Sequence, residues 1–362
     1  MSRFHKLKVS KVKNEIADAV SVSFEVPDEL KANFNFFPGQ YTTLKLNIDG
    51  EQVNRSYSFC SSPYMNEPLT IAVKRVVGGK GSNFINDNFK PGVEIEAMGS
   101  MGNFHSTIEE KNEKQYILFG GGSGITPVIS ILKSVLASEP KSKVVLFYGN
   151  RSSHSIIFRD KLEVLLSQFG ERLKIVHILD MPEEGWSGYT GFIVKDMALK
   201  LLRENTNLNF QHAEFFICGP TPMMKSVEEA LGVLQIPKEK VHIEYFTAKA
   251  DEDKKAADVG TSVNSEIPFT GKTKVKIIYD GNTREFEVNE KETILEAALD
   301  AGYDPPYSCM VAACCTCRAK LISGKVEMDD RESLTDAEIS RGYVLTCQSH
   351  PKSHGIVLNY DA

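Results

Sequence analysis

Four cysteines crowd into the nine residues from Cys309 to Cys317. Cys309, Cys314 and Cys317 read Cys-x4-Cys-x2-Cys, and Cys347 follows after 29 further residues. Two bridged irons need four thiolates, and a tight loop can supply three while a later segment supplies the fourth, so this spacing points to a 2Fe-2S cluster. A zinc site usually pairs two short Cys-x-x-Cys units, and only one is present here; plain buried cysteines are the remaining alternative. Cys315 falls outside the pattern and is expected not to be a ligand. Cys60 and Cys218 stand alone. Seven cysteines in 362 residues are too few for a disulfide scaffold, and their clustering suits metal or redox chemistry in a reducing compartment.

Other segments carry groups suited to phosphates and aromatic rings. Arg55-Ser56-Tyr57-Ser58 offers a guanidinium fork for a pyrophosphate, an aromatic face and a hydroxyl donor for a ring edge. An ordinary polar strand is the bland alternative. Gly78-Gly79-Lys80-Gly81-Ser82-Asn83 precedes an expected helix over Asn83 to Asn88, and such a turn presents backbone N–H groups to phosphate. Gly120-Gly121-Gly122-Ser123-Gly124-Ile125-Thr126-Pro127 follows an apolar strand. Its glycines let the chain approach a pyrophosphate closely, Thr126 is the expected N-cap, and Pro127 suits the first helical turn.

These residues need elements to hold them. Short β-rich runs separated by Pro-Gly turns, such as Pro38-Gly39 and Pro91-Gly92, predict a small antiparallel barrel over residues 1–107. From 113 to 246, apolar runs alternate with helical segments, which predicts βαβ units and a parallel sheet. Residues 247–271, rich in Ala, Asp, Lys, Ser and Thr, read as a linker. Residues 272–362 resume β alternation around a short helix from Thr293 and the cysteine loop.

Pro306-Tyr307-Ser308-Cys309 through Cys317, with Gly342 to Gln348, resembles a plant-type ferredoxin domain, which implies an α+β (β-grasp) fold. One departure stands out: Met310-Val311-Ala312-Ala313 has no glycine between the first two ligands, where such loops usually carry one. Upstream, the Arg-Ser-Tyr-Ser and glycine motifs, Lys74 and Arg75 between them, and Cys218-Gly219-Pro220 after another strand resemble the ferredoxin–NADP reductase superfamily. That resemblance implies FAD on the barrel, held by Arg55, Tyr57, Ser58, Lys74, Gly81, Ser82 and Asn83, with Phe246 near its ring. It implies a nicotinamide nucleotide at Gly122, Ser123, Gly124, Thr126, Cys218, Gly219 and Pro220, with Ser58 and Cys218 nearest the hydride transfer. Arg151, ending a strand, suits a 2′-phosphate and tilts the expectation to NADPH.

The implied activity is that of an NAD(P)H-dependent oxidoreductase. Hydride passes to the flavin, single electrons reach the cluster, and a partner oxygenase receives them. With the ferredoxin part last, the chain most resembles reductases of multicomponent oxygenases of the phenylacetyl-CoA epoxidase kind; the domain order supports that group, not the partner. A dioxygenase or steroid hydroxylase is an alternative acceptor, and a non-enzymatic redox sensor a more distant reading. Net charge is −6 with no basic block, so a nucleic-acid partner is not expected. No apolar run approaches the roughly 20 residues of a membrane-spanning helix, nor does the start resemble a signal peptide, so a cytoplasmic protein is expected.

Overall fold

A computed structural model describes residues 4–207, 212–246, 256–260 and 271–362. The chain divides into two compact units: residues 6–52 with 57–245, and residues 1–5, 53–56 and 246–362.

The first sheet contains β1 (Phe4–Ile16), β2 (Ala19–Glu25), β3 (Tyr41–Ile48), β4 (Glu51–Ser58), β5 (Leu69–Lys74) and, after helix α1 (Lys80–Asn88), β6 (Glu94–Met98). Its order is β4-β3-β6-β1-β2-β5, and a bridge between Phe59 and Ile71 links the end of β4 to β5, closing the sheet on itself. Strand β2 alternates Val20, Val22 and Phe24 with small residues, and both faces are buried. On the second face Ser23 bonds Thr70 at 2.9 Å and Ser21 donates to Glu15 at 2.7 Å, so these hydroxyls are satisfied without water. Helix α1 starts at Lys80, three residues before the sequence expectation, because Gly79 already accepts from the Asn83 N–H.

Next come β7 (Gln115–Gly121), α2 (Ile125–Ser138), β8 (Lys143–Asn150), α3 (Arg159–Phe169), β9 (Leu173–Leu179), β10 (Tyr189–Thr190), α4 (Lys195–Asn205), β11 (Ala213–Cys218), α5 (Thr221–Val233) and β12 (Val241–Glu244). The strands lie parallel in the order β10-β9-β8-β7-β11-β12. Ile117, Leu118, Phe119, Phe215, Phe216 and Ile217 are all fully buried, the continuous apolar pattern of strands covered on both faces. The chain leaves β7 toward β8 on one side and returns through β11 on the other. The crevice beyond the carboxyl ends of β7 and β11 is therefore the switch point where ligands bind in such sheets.

The other unit holds β13 (Ala257–Gly260), β14 (Lys272–Tyr279), β15 (Asn282–Asn289), α6 (Ile294–Asp300), β16 (Arg318–Ser323), β17 (Lys325–Met328), α7 (Asp336–Ser340), β18 (Tyr343–Leu345), β19 (Ser349–Pro351) and β20 (Ile356–Asn359). A mixed sheet, β15-β14-β20-β16-β18, packs Val275, Ile277 and Leu358 with Ile294, Leu295 and Ala298 of α6 in one core. Thr293 caps α6 reciprocally with Glu296, each side chain accepting from the other's backbone N–H at 3.2 Å. The expected linker needs correcting at Ala257–Gly260, which pairs antiparallel with β17 because Val259, 7% exposed, joins the core. Residues 247–255 and 261–270 of that linker lie outside the described residues. Among the described residues no helix is long and apolar enough to cross a membrane.

Candidate functional site

At the switch point, two chain turns approach so closely that only glycine fits. A Cβ on Gly124 would lie 2.1 Å from the Cys218 carbonyl oxygen, one on Gly121 2.6 Å from Pro220 Cδ, and one on Gly219 3.0 Å from Gly121 Cα. Gly122 adopts φ +52° with open space where a side chain would stand, and its carbonyl accepts from Tyr148 Oη at 3.0 Å. Ser123 is half-buried beside it. This is a cradle whose open side suits a pyrophosphate, so the residues fit the nucleotide. Thr126 is not the N-cap: a 3-10 turn over Gly122–Gly124 runs directly into α2, Gly124 takes the cap position, and Thr126 Oγ1 donates to the Ser123 carbonyl at 3.1 Å.

Cys218, expected nearest the hydride transfer, is fully buried, and burial pushes its thiol well above the ordinary range. It has no route to nucleophilic or acid–base work, and what it can bring to a nicotinamide is size and shape. Gly219 is half-buried and Pro220 exposed on the turn that follows.

Beyond β8 and β9 lies a second group. The Asp180 N–H donates to the Asn150 carbonyl at 3.1 Å, and Met181 N–H to the Arg151 carbonyl at 2.8 Å. Both side-chain polar atoms of Asn150, and Oδ1 of Asp180, are buried without a hydrogen-bond partner. Buried polar groups are seldom left so, and polar groups waiting at the carboxyl ends of parallel strands fit the ribose end of a dinucleotide. Arg151 is exposed, its Nε 3.3 Å from Met181 Sδ. Asp180 escaped the sequence reading, although an acidic residue just past an apolar strand was a usable signal.

On the barrel, β4 exposes Arg55, half-buries Tyr57 and buries Ser58, 4% exposed. Strand alternation puts Arg55 and Tyr57 on one face and Ser58 on the other, so the tetrapeptide is split rather than convergent. Arg55 Nη1 donates to the Asn54 carbonyl at 2.8 Å. Gly81, Ser82 and Asn83 occupy the first turn of α1. Ser82 Oγ accepts from Val76 N–H at 3.0 Å and Asn83 Nδ2 donates to the Val76 carbonyl at 3.2 Å, which fixes the turn. Lys74 pairs with Asp18 at 3.7 Å, and Arg75 with Asp87 at 2.6 Å. Phe246 is 43% exposed.

In the cysteine loop, Cys314, Cys317 and Cys347 are buried and Cys309 half-buried. A hydrogen bond between Cys309 and Cys314 pushes the first thiol up and draws the second down to about 6. One with Cys347, then burial, pushes Cys317 up. All four thiols thus influence one another, and their Cys-x4-Cys-x2-Cys spacing with the distant Cys347 fits a 2Fe-2S cluster. Cys315 turns away: its Sγ meets the Ser333 carbonyl at 2.8 Å. The missing loop glycine has a backbone counterpart, since Met310 (φ 59°) and Ala312 (φ 56°) both adopt the left-handed conformation. In the same unit Asn54 Nδ2 donates to the Tyr307 carbonyl at 3.2 Å and Ser56 Oγ to Ser308 Oγ at 2.9 Å, immediately before Cys309.

Comparison with known proteins matches three family models in chain order: an oxidoreductase FAD-binding domain over residues 6–106, an oxidoreductase NAD-binding domain over 118–229 and a 2Fe-2S iron-sulfur cluster binding domain over 277–352. The chain is 36% identical over 363 residues to a 1,2-phenylacetyl-CoA epoxidase subunit from Escherichia coli (strain K12), covering 100% of this chain and 99% of that one. It is 35% identical over 355 residues to the ferredoxin reductase component of 3-ketosteroid-9-alpha-monooxygenase from Rhodococcus rhodochrous, covering 98% and 96%. Among solved structures, phthalate dioxygenase reductase superposes over 98% of both chains with a TM-score of 0.58 at 24% identity, a likeness of fold.

Proposed function

The chain belongs to the ferredoxin-reductase components of multicomponent oxygenases, and on that footing we propose that it delivers electrons from NAD(P)H to an oxygenase of the phenylacetyl-CoA epoxidase type. The observation that supports this acceptor is the 36% identity with the epoxidase component, carried across the whole chain. A steroid monooxygenase is the second reading, favoured by the 35% identity with that system's reductase. A bound flavin would supply hydride acceptance from the nicotinamide and single-electron release, and a bound 2Fe-2S cluster would supply the one-electron relay to the partner.

The chain's own residues place and tune these groups. Gly121, Gly124 and Gly219 bring two strand ends together, and Gly122, Ser123 and Thr126 offer the nucleotide's pyrophosphate an open turn. Arg55, with Gly81, Ser82 and Asn83 at the start of α1, is assigned to the flavin's phosphates, and Lys74 borders them. Tyr57 and Phe246 offer aromatic faces, and Ser58 and Cys218 are assigned to the reacting rings, where each would act by size and shape. Cys309, Cys314, Cys317 and Cys347 hold the cluster, and such a thiol-rich loop suits the cytoplasm. The ferredoxin part, residues 272–362, has 15 acidic and 11 basic residues, so a basic oxygenase surface is the complementary partner.

The test is spectroscopy followed by reconstitution. Anaerobic protein is expected to hold flavin and about two irons per chain, and its visible bands to bleach on adding nucleotide. Flavin without iron after cluster reconstitution would overturn the cluster assignment. Negligible turnover with an artificial acceptor would favour the sensor. Coupled turnover with a steroid oxygenase but not with an epoxidase would overturn the acceptor.

A further inference from the structure

Arg151 taken alone suggests a 2′-phosphate, but its surroundings are acidic. A 2′-phosphate needs donors, and Ser153, two residues on from Arg151, carries an N–H and a hydroxyl. Both are occupied: Ser153 N–H donates to Glu183 Oε1 at 3.1 Å and Oε2 at 3.3 Å, and Ser153 Oγ donates to Oε1 at 3.0 Å. His154 Nε2 lies 3.9 Å from the same oxygen. The Glu183 carboxylate thus holds both Ser153 donors and carries the same sign of charge as a phosphate. A hydrogen bond from its own backbone, and then these bonds to Ser153, hold the carboxyl below its ordinary range.

The other acidic group is Asp180, whose backbone is tied to Asn150 and whose buried Oδ1 has no partner. An acceptor in this position, beyond the second and third strands of a dinucleotide-binding sheet, suits a ribose 2′-hydroxyl, which donates a proton. The same oxygen facing a phosphate would confront a charge of about −1.5 to −2. Arg151 directs its Nε at Met181 Sδ, which leaves only its terminal N–H groups to set against two acidic side chains.

We infer that Asp180 and Glu183 make this chain select NADH over NADPH, Asp180 by receiving the 2′-hydroxyl and Glu183 by occupying the donors a 2′-phosphate requires. The inference rests on the reading of the chain as an NAD(P)H-dependent reductase and names its nucleotide.

The experiment uses the full-length, cofactor-loaded protein with ferricyanide as acceptor, comparing kcat/KM for NADH and NADPH. NADH is expected to lead by at least about tenfold, the scale of one charge-assisted hydrogen bond. Glu183→Ala frees Ser153 and is expected to raise kcat/KM for NADPH by about tenfold, through KM rather than kcat. Adding Arg151→Ala to that variant should remove the gain. Inhibition against NADH needs no variant: 2′,5′-ADP should compete at least about tenfold more weakly than ADP. A wild-type preference for NADPH, an equal change of KM for both nucleotides in Glu183→Ala, or equal inhibition by the two nucleotides would overturn the inference while leaving the reductase reading intact. Flavin reduction by neither nucleotide would overturn that reading and the inference with it.

Discussion

Lys133 Nζ, on a side chain 5% exposed, lies 2.5 Å from Glu67 Oε2 and ties helix α2 to the barrel loop that follows β4. Beside it Ser130 Oγ donates to the Ser61 carbonyl at 2.6 Å, and Ser62 and Ser134 share a hydrogen bond at 2.7 Å. Breaking a buried pair strands one charge, so Lys133→Met is expected to lose about 3 kcal/mol in urea unfolding. Lys133→Arg should retain most of that. A methionine variant as stable as wild type would show that Lys161, 3.0 Å from Glu67 Oε1, carries the tie by itself.

Two neighbouring glycines should respond in different ways to the same methyl group. Gly124→Ala drives a Cβ into the Cys218 carbonyl and must move the backbone, so nucleotide-driven flavin reduction should fall by about 10²-fold. Gly122→Ala meets no protein atom; its left-handed backbone should cost about 1–2 kcal/mol of stability, and its methyl, on the open side assigned to the pyrophosphate, should raise KM for the nucleotide. Stopped-flow reduction and thermal melts check both; unchanged nucleotide handling in both variants would refute the cradle.

Iron content separates the five loop-region thiols. Cys315→Ala removes the contact with the Ser333 carbonyl and should retain about two irons per chain. Cys317→Ala should lose the cluster's visible bands. Loss of iron in Cys315→Ala would move the ligand set.

Ala312 is buried at φ 56°. Left-handed backbone costs a chiral residue about 1–2 kcal/mol, against roughly 0.5–1 kcal/mol for glycine's added freedom in the unfolded chain. Ala312→Gly is therefore expected to lengthen the cluster's half-life under a chelator and raise Tm slightly. A shortened half-life would show that the lost methyl packing outweighs the backbone relief.

Acidification should weaken the fold in two stages. Burial holds His105, His177 and His242 below the ordinary imidazole range. The unfolded chain then binds more protons, and stability begins to fall below about pH 6.5. Burial raises the Glu67, Glu214 and Glu338 carboxyls, yet hydrogen bonds and basic partners outweigh it and leave each lowered. Their stabilisation is present above the unfolded value of about 4.3 and is lost as pH falls through the folded values. Thermal melts from pH 8 to 4 should decline throughout the acid limb, and a rise in Tm between pH 7 and 5 would contradict this sign.

What was legible in the sequence was what covalent spacing or local period dictates. The cysteine interval orders three ligands along one loop and a fourth beyond it, and apolar runs such as Phe215 to Cys218, alternating with helical segments, suit interior strands of a covered sheet. Thr126 misled because a Thr-Pro pair at a helix start looks like a cap, whereas the 3-10 turn of Gly122–Gly124 takes that role. Strand β13 was missed because four residues with one buried valine carry no period, and their partner β17 is distant in sequence. Arg151 read alone pointed to a phosphate; the carboxylate on Ser153 comes from a different strand end, and only the folded sheet brings them together.

The closeness of Gly124 to the Cys218 carbonyl also bears on inheritance. The constraint at that crossing acts between two backbones, so it binds position 124 to glycine while leaving the side chain at 218 free to drift among small residues. Lineages descending from this chain should vary at the cysteine before they vary at the glycine, and a search keyed to the thiol would lose relatives that one keyed to the bare turn would keep.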